Sequence, residues 1–150
     1  MRPFRLHVQL TTLLLLLFSL LGATNALAAE QSTAELSELN DQALHIKLVE
    51  TALRYDFYNK RCRGISVSKE VNEVNRLFLK KYGLTVHNFI KQQMQTDPRD
   101  YQEQLKQALY AELAKMGGCD ASKEQGMIAR FQADFRLLLK RAENSNWFPE

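Results

Sequence analysis

The chain has 150 residues, enough for one domain, and its 45% hydrophobic, 25% charged composition with few Gly and Pro excludes disorder for the bulk of it. Its formal charge is +3, but Arg2 and Arg5 sit in the leading segment while every acid stands at Glu30 or later, so residues 29–150 carry +1. A domain so close to neutral excludes strong electrostatic attraction to nucleic acid or to an anionic lipid surface.

Residues 1–28 read as a signal peptide. Arg2 and Arg5 form a short positive region, Leu13 to Leu21 is an apolar run broken only by Ser19, and Ala26-Leu27-Ala28 offers small residues to a peptidase. The apolar core from Leu10 to Ala23 is short for a membrane span, which needs roughly 20 residues. Cleavage is expected after Ala28, or one residue later after Ala29. The expected compartment is the periplasm or the secreted space.

From Thr33 the apolar residues take helical spacing. Leu36, Leu39, Ala43, Ile46, Leu53 and Phe57 step by three, four or seven, with Leu44, Leu48 and Val49 widening the stripe. This predicts one long amphipathic helix over about 33–60. Gly64 closes it, and Ser68 with Glu70 behind it starts a second helix over 68–82, stopped by Gly83. Thr85 caps a third over 85–96. Asp97-Pro98-Arg99-Asp100 is the clearest start in the chain, an N-cap followed by Pro where a missing N–H is harmless, and predicts a fourth helix over 98–116. Gly117-Gly118 end it. A fifth, over 121–143, carries Met127, Ile128, Phe131, Phe135 and Leu138 on one stripe, with Gly126 as a weak point, and an aromatic tail follows at 144–150. No stretch alternates like a strand. The predicted fold is all-α, a single small bundle of about five helices over 29–150.

Cys62 and Cys119 are the only cysteines, each at a predicted helix boundary. In an exported chain of this size they are expected to pair and staple the bundle. The flanking Arg61 and Arg63 would favour a thiolate at Cys62, but no Cys-x-x-Cys is present and redox chemistry is the weaker reading.

Other constellations were weighed against plain structural roles. Ser66-Val67-Ser68-Lys69 has the Ser-x-x-Lys spacing of acyl-serine enzymes, but the companion motifs are missing and a capping turn explains it better. Asp41 and His45 stand four apart on a helix, and His87 is the only other histidine beyond the signal, too few ligands for a metal; a solvated helix face is the expectation. No phosphate loop, dinucleotide fingerprint or haem motif is present, so no cofactor and no metal are expected. Glu70, Glu73 and Asp100 would have to converge in a cleft for an enzyme to be plausible.

Two features suit partner contacts. Arg54, Tyr58, Lys60, Arg61 and Arg63 form a basic-aromatic patch able to meet an anion or an acidic partner. Trp147 and Phe148 form an aromatic tail that either plugs the bundle or docks elsewhere. In size and compartment the chain is similar to small one-disulfide periplasmic acid-stress chaperones, a likeness that carries over no residue. The expectation is a non-enzymatic module that binds another exported or envelope protein as adaptor, inhibitor, chaperone or accessory subunit. The alternative is a carrier or sensor of a small apolar ligand held between the helices.

Overall fold

Helix α1, Asp41–Arg63, is the axis around which the others pack. The structure is a computed structural model and describes residues 34–149; the predicted signal peptide at 1–28 lies outside the described residues. Residues 34–38 make a short helical turn in which the Ser37 hydroxyl donates to the Ala34 carbonyl at 2.7 Å. After α1 come α2 (Lys69–Tyr82), α3 (Val86–Gln93), α4 (Pro98–Met116), α5 (Cys119–Glu124) and α6 (Met127–Asn144). Among the described residues there is no strand, so the all-α prediction holds.

The helix count differs from prediction at two places, each with a local cause. The long first helix begins at Asp41 because Asn40 takes an extended conformation and its Oδ1 accepts from the Ala43 N–H at 2.9 Å, the geometry of an N-cap. The predicted fifth helix is two. Gly126 adopts φ +75°, a left-handed conformation that ends α5 and restarts the chain as α6. What looked like a weak point is a break. The third helix also stops early, at Gln93, because Gln95 turns left-handed (φ 52°) and Pro98 holds Asp97 extended. Asp97 then caps α4 as predicted, its Oδ1 accepting from Arg99 N–H at 2.8 Å and Asp100 N–H at 3.2 Å.

Cross-links give the directions. Asp56 of α1 reaches the start of α2 while His45 meets Tyr82 at its end, so α2 runs antiparallel to α1. Tyr55 stacks on Phe131 and Arg141 reaches the Leu39 carbonyl, so α6 is antiparallel too. Arg54 pairs with Glu112 and Cys62 bonds Cys119, which sets α4 alongside α1 in the same direction. Because α2, α4 and α6 surround it, α1 is buried on several sides: Leu44, Leu48, Val49, Ala52, Tyr55 and Tyr58 are all within 5% of full burial. Of these, Leu44, Leu48 and Val49 each contribute about 1.5–3 kcal/mol of transfer free energy when fully buried. This corrects the amphipathic reading of the first helix. Its centre faces neighbours rather than solvent, and the predicted stripe residues Ile46 and Phe57 are only half-buried.

The staple forms as predicted. Cys62 and Cys119 are bonded, their Cα atoms 5.3 Å apart, over a sequence separation of 57. Cys62 lies in the last turn of α1 rather than beyond it, and Cys119 opens α5. Gly117, at φ +96°, closes α4 so that the chain turns directly into the cysteine.

Candidate functional site

The basic-aromatic residues predicted as one patch are distributed over different surroundings. Tyr58 is 1% exposed, its hydroxyl 3.4 Å from the Ser122 hydroxyl and its ring against Phe131. Arg54 is ion-paired with Glu50 and Glu112 and lies over the Phe131 ring. Arg61 sits over the Tyr110 ring at 5.3 Å, and Arg63 donates to the Asn59 side chain at 2.9 Å. Lys60 is exposed. Helical spacing explains the scatter: positions 54 and 58 share a stripe that faces α4 and α6, whereas 60, 61 and 63 fan out around the last turn.

The tail residues divide. Trp147 is half-buried with its ring centroid 4.7 Å from His45 and 6.0 Å from Tyr82; Phe148 is 62% exposed and touches Tyr82 edge-on at 5.6 Å. Lys81 holds the segment in place, its Nζ donating to the carbonyls of Ala142, Glu143 and Ser145 at 2.6–3.1 Å. A cation at a helix C-terminus also suits the dipole. His45, expected on a solvated face, is fully buried beneath the tryptophan. A carbonyl can only accept, so Nδ1 donates to the Asp41 carbonyl (2.6 Å) and Nε2 accepts from the Tyr82 hydroxyl (2.7 Å). With both nitrogens engaged the ring is no metal ligand, and the described residues contain no cluster of three metal-binding side chains. Burial, with Lys81 nearby, holds the His45 pKa below its ordinary value.

A second buried polar group lies further along α1. Asp56 is 5% exposed and caps α2 from a distance, its carboxylate accepting from Val71 N–H at 2.9 Å and Glu70 N–H at 3.3 Å. Ser68, the predicted cap, makes no such bond. The Glu70 side chain, 7% exposed, lies against Asp56 with one buried oxygen, Oε2, that no donor reaches. An acid beside a second carboxyl in a dry site is costly to ionise. Burial first, and Glu70 second, push Asp56 up to about 7. The orphaned oxygen and the raised acid express one fact.

Glu70 also lines a surface groove between α2 and α6. These two helices each pack along α1 but touch one another little. Between them are two clefts, of about 270 Å³ at the Lys69 end and about 510 Å³ at the Lys81 end, which share Glu73 and Leu139 as lining. The larger cleft is mainly apolar, with Leu77 and Leu139 half-buried in it, whereas the smaller one sets Tyr55 and Phe135 among polar groups that include Glu70 and Glu73. On the rim stand Lys69, Arg76, Lys80 and Arg136, and among the described residues none of the four is ion-paired. The groove contains Glu70 and Glu73 of the acids considered for catalysis, whereas Asp100 lies in the first turn of α4 and takes no part. Ser66 and Lys69 are both exposed around an irregular 64–68 loop, so they do not form a one-turn serine–lysine pair.

The buried polar groups were legible in part. Asp56 falls between Ala52, Tyr55 and Asn59 on the buried stripe, and His45 lies next to Leu44 and four before Val49; polar residues on an apolar face were the signal. The groove had none, because it depends on how far α2 and α6 diverge over α1. No protein-family model, curated protein or solved structure matches this chain.

Proposed function

We propose that the chain is an exported, non-enzymatic helical protein, periplasmic or secreted, that acts by binding another exported or envelope protein, with the α2–α6 groove as its docking face. The roles that fit are adaptor, inhibitor, chaperone or accessory subunit. The supporting observation is the groove itself, where half-exposed leucines lie between two diverging helices and four rim cations have no acid partner. On α1 and α4, by contrast, Lys47, Arg54 and Lys106 are paired with Glu50, Glu112 and Glu103. Support for export comes from the arginine–leucine–alanine pattern of residues 1–28 and from the Cys62–Cys119 bond, which persists in oxidising compartments. The long first helix and the basic-aromatic patch, expected as contact surfaces, are less suitable because their central residues are committed to the bundle.

A carrier of a small apolar ligand has less support. The aromatics between the helices touch one another, Phe78 to Phe89 at 4.8 Å and to His45 at 5.8 Å, and fill the space a ligand would need.

Site-specific photo-crosslinking in the exporting cell tests the docking face. A crosslinker at Leu77 or Leu139 should yield a discrete adduct, while one at the exposed Gln107 or Lys115 of α4 should not. Adducts from α4 alone would overturn the assignment.

A further inference from the structure

Each side of the groove presents a helical stripe. On α2 the positions are 69, 73, 76, 77 and 80, and on α6 they are 132, 136, 139 and 143, so each wall turns polar side chains to the groove once per turn around one leucine, Leu77 or Leu139. The backbone of both walls is internally hydrogen-bonded within helices, which leaves no free strand edge for an extended peptide to pair with. Recognition there must proceed through side chains. A third helix laid between α2 and α6 meets the geometry, with apolar knobs spaced by three and four residues entering above Leu77 and Leu139. The 14 residues of α2 span about 20 Å, which sets the occupant at three to four turns.

Charge selects the kind of helix. Lys69, Arg76, Lys80 and Arg136 line the groove without ion-pair partners, against Glu70, Glu73 and Glu143 in the same lining. Lys81 is committed to the three carbonyls at the end of α6. Cations still outnumber acids along the groove, around the apolar pair Leu77 and Leu139. A concave floor between two helices is out of reach of a flat bilayer, so the complement is a protein segment.

We infer that the groove takes an acidic amphipathic helix of a partner protein, its leucine-type side chains on Leu77 and Leu139 and its carboxylates against Lys69, Arg76, Lys80 and Arg136. The inference rests on the docking face proposed above and adds the chemistry of the occupant.

The test uses the oxidised protein recovered by export from a bacterial host, with labelled leucine methyls observed by NMR. Three synthetic peptides of about 14 residues share leucines at helical spacing and differ in flanks of Glu, Gln or Lys. The Glu peptide should shift the Leu77 and Leu139 methyls and bind about tenfold tighter than the Gln peptide, with the preference shrinking in high salt. The double variant R76E/R136E, altering exposed side chains only, should reverse the preference toward the Lys peptide. If Gln and Glu peptides move the same methyls with equal affinity, the acidic occupant is wrong while the docking face stands. If no peptide moves those methyls, both fail. Binding of phosphatidylglycerol vesicles that shifts the same methyls, or self-association through them, would also overturn the acidic-helix occupant.

Discussion

The two ends of α1 are closed by different means. At its C-terminal end a covalent bond ties Cys62 to Cys119. At its N-terminal end the closure is made of weak groups, His45 under Trp147, the Tyr82 hydroxyl, and Lys81 on three carbonyls. A disulfide is indifferent to protons, whereas the second closure contains a titratable ring. Asp56 and Glu70, nearer the stapled end, add a second titratable element of opposite sense. One end thus depends on redox state and, through Asp56, on protons, while the other depends on protons alone. The buried Asp56 favours the fold in acid, and the buried histidine disfavours it.

The largest break in this comparison is removal of the staple. Cys62→Ser should cost about 4 kcal/mol, the loop-entropy value for a 57-residue closure and an upper figure where the reduced chain keeps some structure. Cys119→Ser should match it, as should reduction of the native protein, all read by urea titration. Unequal losses from the two serine variants would mean that one cysteine does something beyond the shared bond.

Opening the other end should cost less. Trp147→Ala removes a half-buried ring, with an expected loss of about 2 kcal/mol, below the roughly 3–5 of a fully buried aromatic. As the sole tryptophan it also reports its own release, and its emission should move to the red in the unfolded chain. If the variant unfolds at the native midpoint, the tail is a docking peptide and not a plug.

The proton effects are smaller and have opposite signs. Asp56 ionises near 4 in an unfolded chain and at about 7 in the fold, so between these limits the native state holds a proton that the unfolded state releases. Its contribution is fully present below about pH 4 and is lost as pH rises through 7. His45 is the reverse, for its lowered pKa lets the unfolded chain bind a proton that the native state refuses, and stability falls as pH drops below about 6.5. Glu70→Gln removes the second cause of the Asp56 shift and leaves the first, burial, in place. Its amide also offers a donor to the Asp56 carboxylate, so stability near pH 7 should rise by about 1–2 kcal/mol. The Asp56 contribution between pH 4 and 7 should shrink without vanishing, so the opposite trend of the histidine weighs more. An unchanged stability–pH curve in this variant would contradict the influence of Glu70 on Asp56.

The smallest effect is at the cap of α1. Asn40→Ala should cost about 1 kcal/mol, seen as faster amide exchange at Ala43 and its neighbours rather than at the staple.

Local signals in the sequence were reliable where a residue acts on its own backbone. Asp97-Pro98 placed the start of α4, Gly64, Gly83 and Gly117 marked true helix ends, and the two cysteines had only each other. Failures came where a distant residue decides. Ser68 looks like the cap of α2, yet Asp56, 14 residues upstream of Glu70, supplies it. The apolar stripe of the first helix was offset because a helix surrounded by three neighbours has no single buried side. Gly126 read as a mild defect since a helical stripe continues across it, and only the left-handed backbone shows the break. Among the site residues, nearness in sequence put Arg54 and Tyr58 with Lys60, Arg61 and Arg63, although helical spacing sends them to different parts of the molecule.

The staple also has a consequence for biosynthesis. With two cysteines in the whole sequence, a single intramolecular pairing exists, so oxidation cannot trap the chain in a wrong internal isomer. The second thiol stands at position 119 of 150, which means most of the polypeptide must emerge before the bond can close. Helices α1 to α4 are therefore all made, as a reduced chain, before the bond can form. The one covalent error open to the chain is between molecules, and its frequency should rise with the concentration of newly made protein.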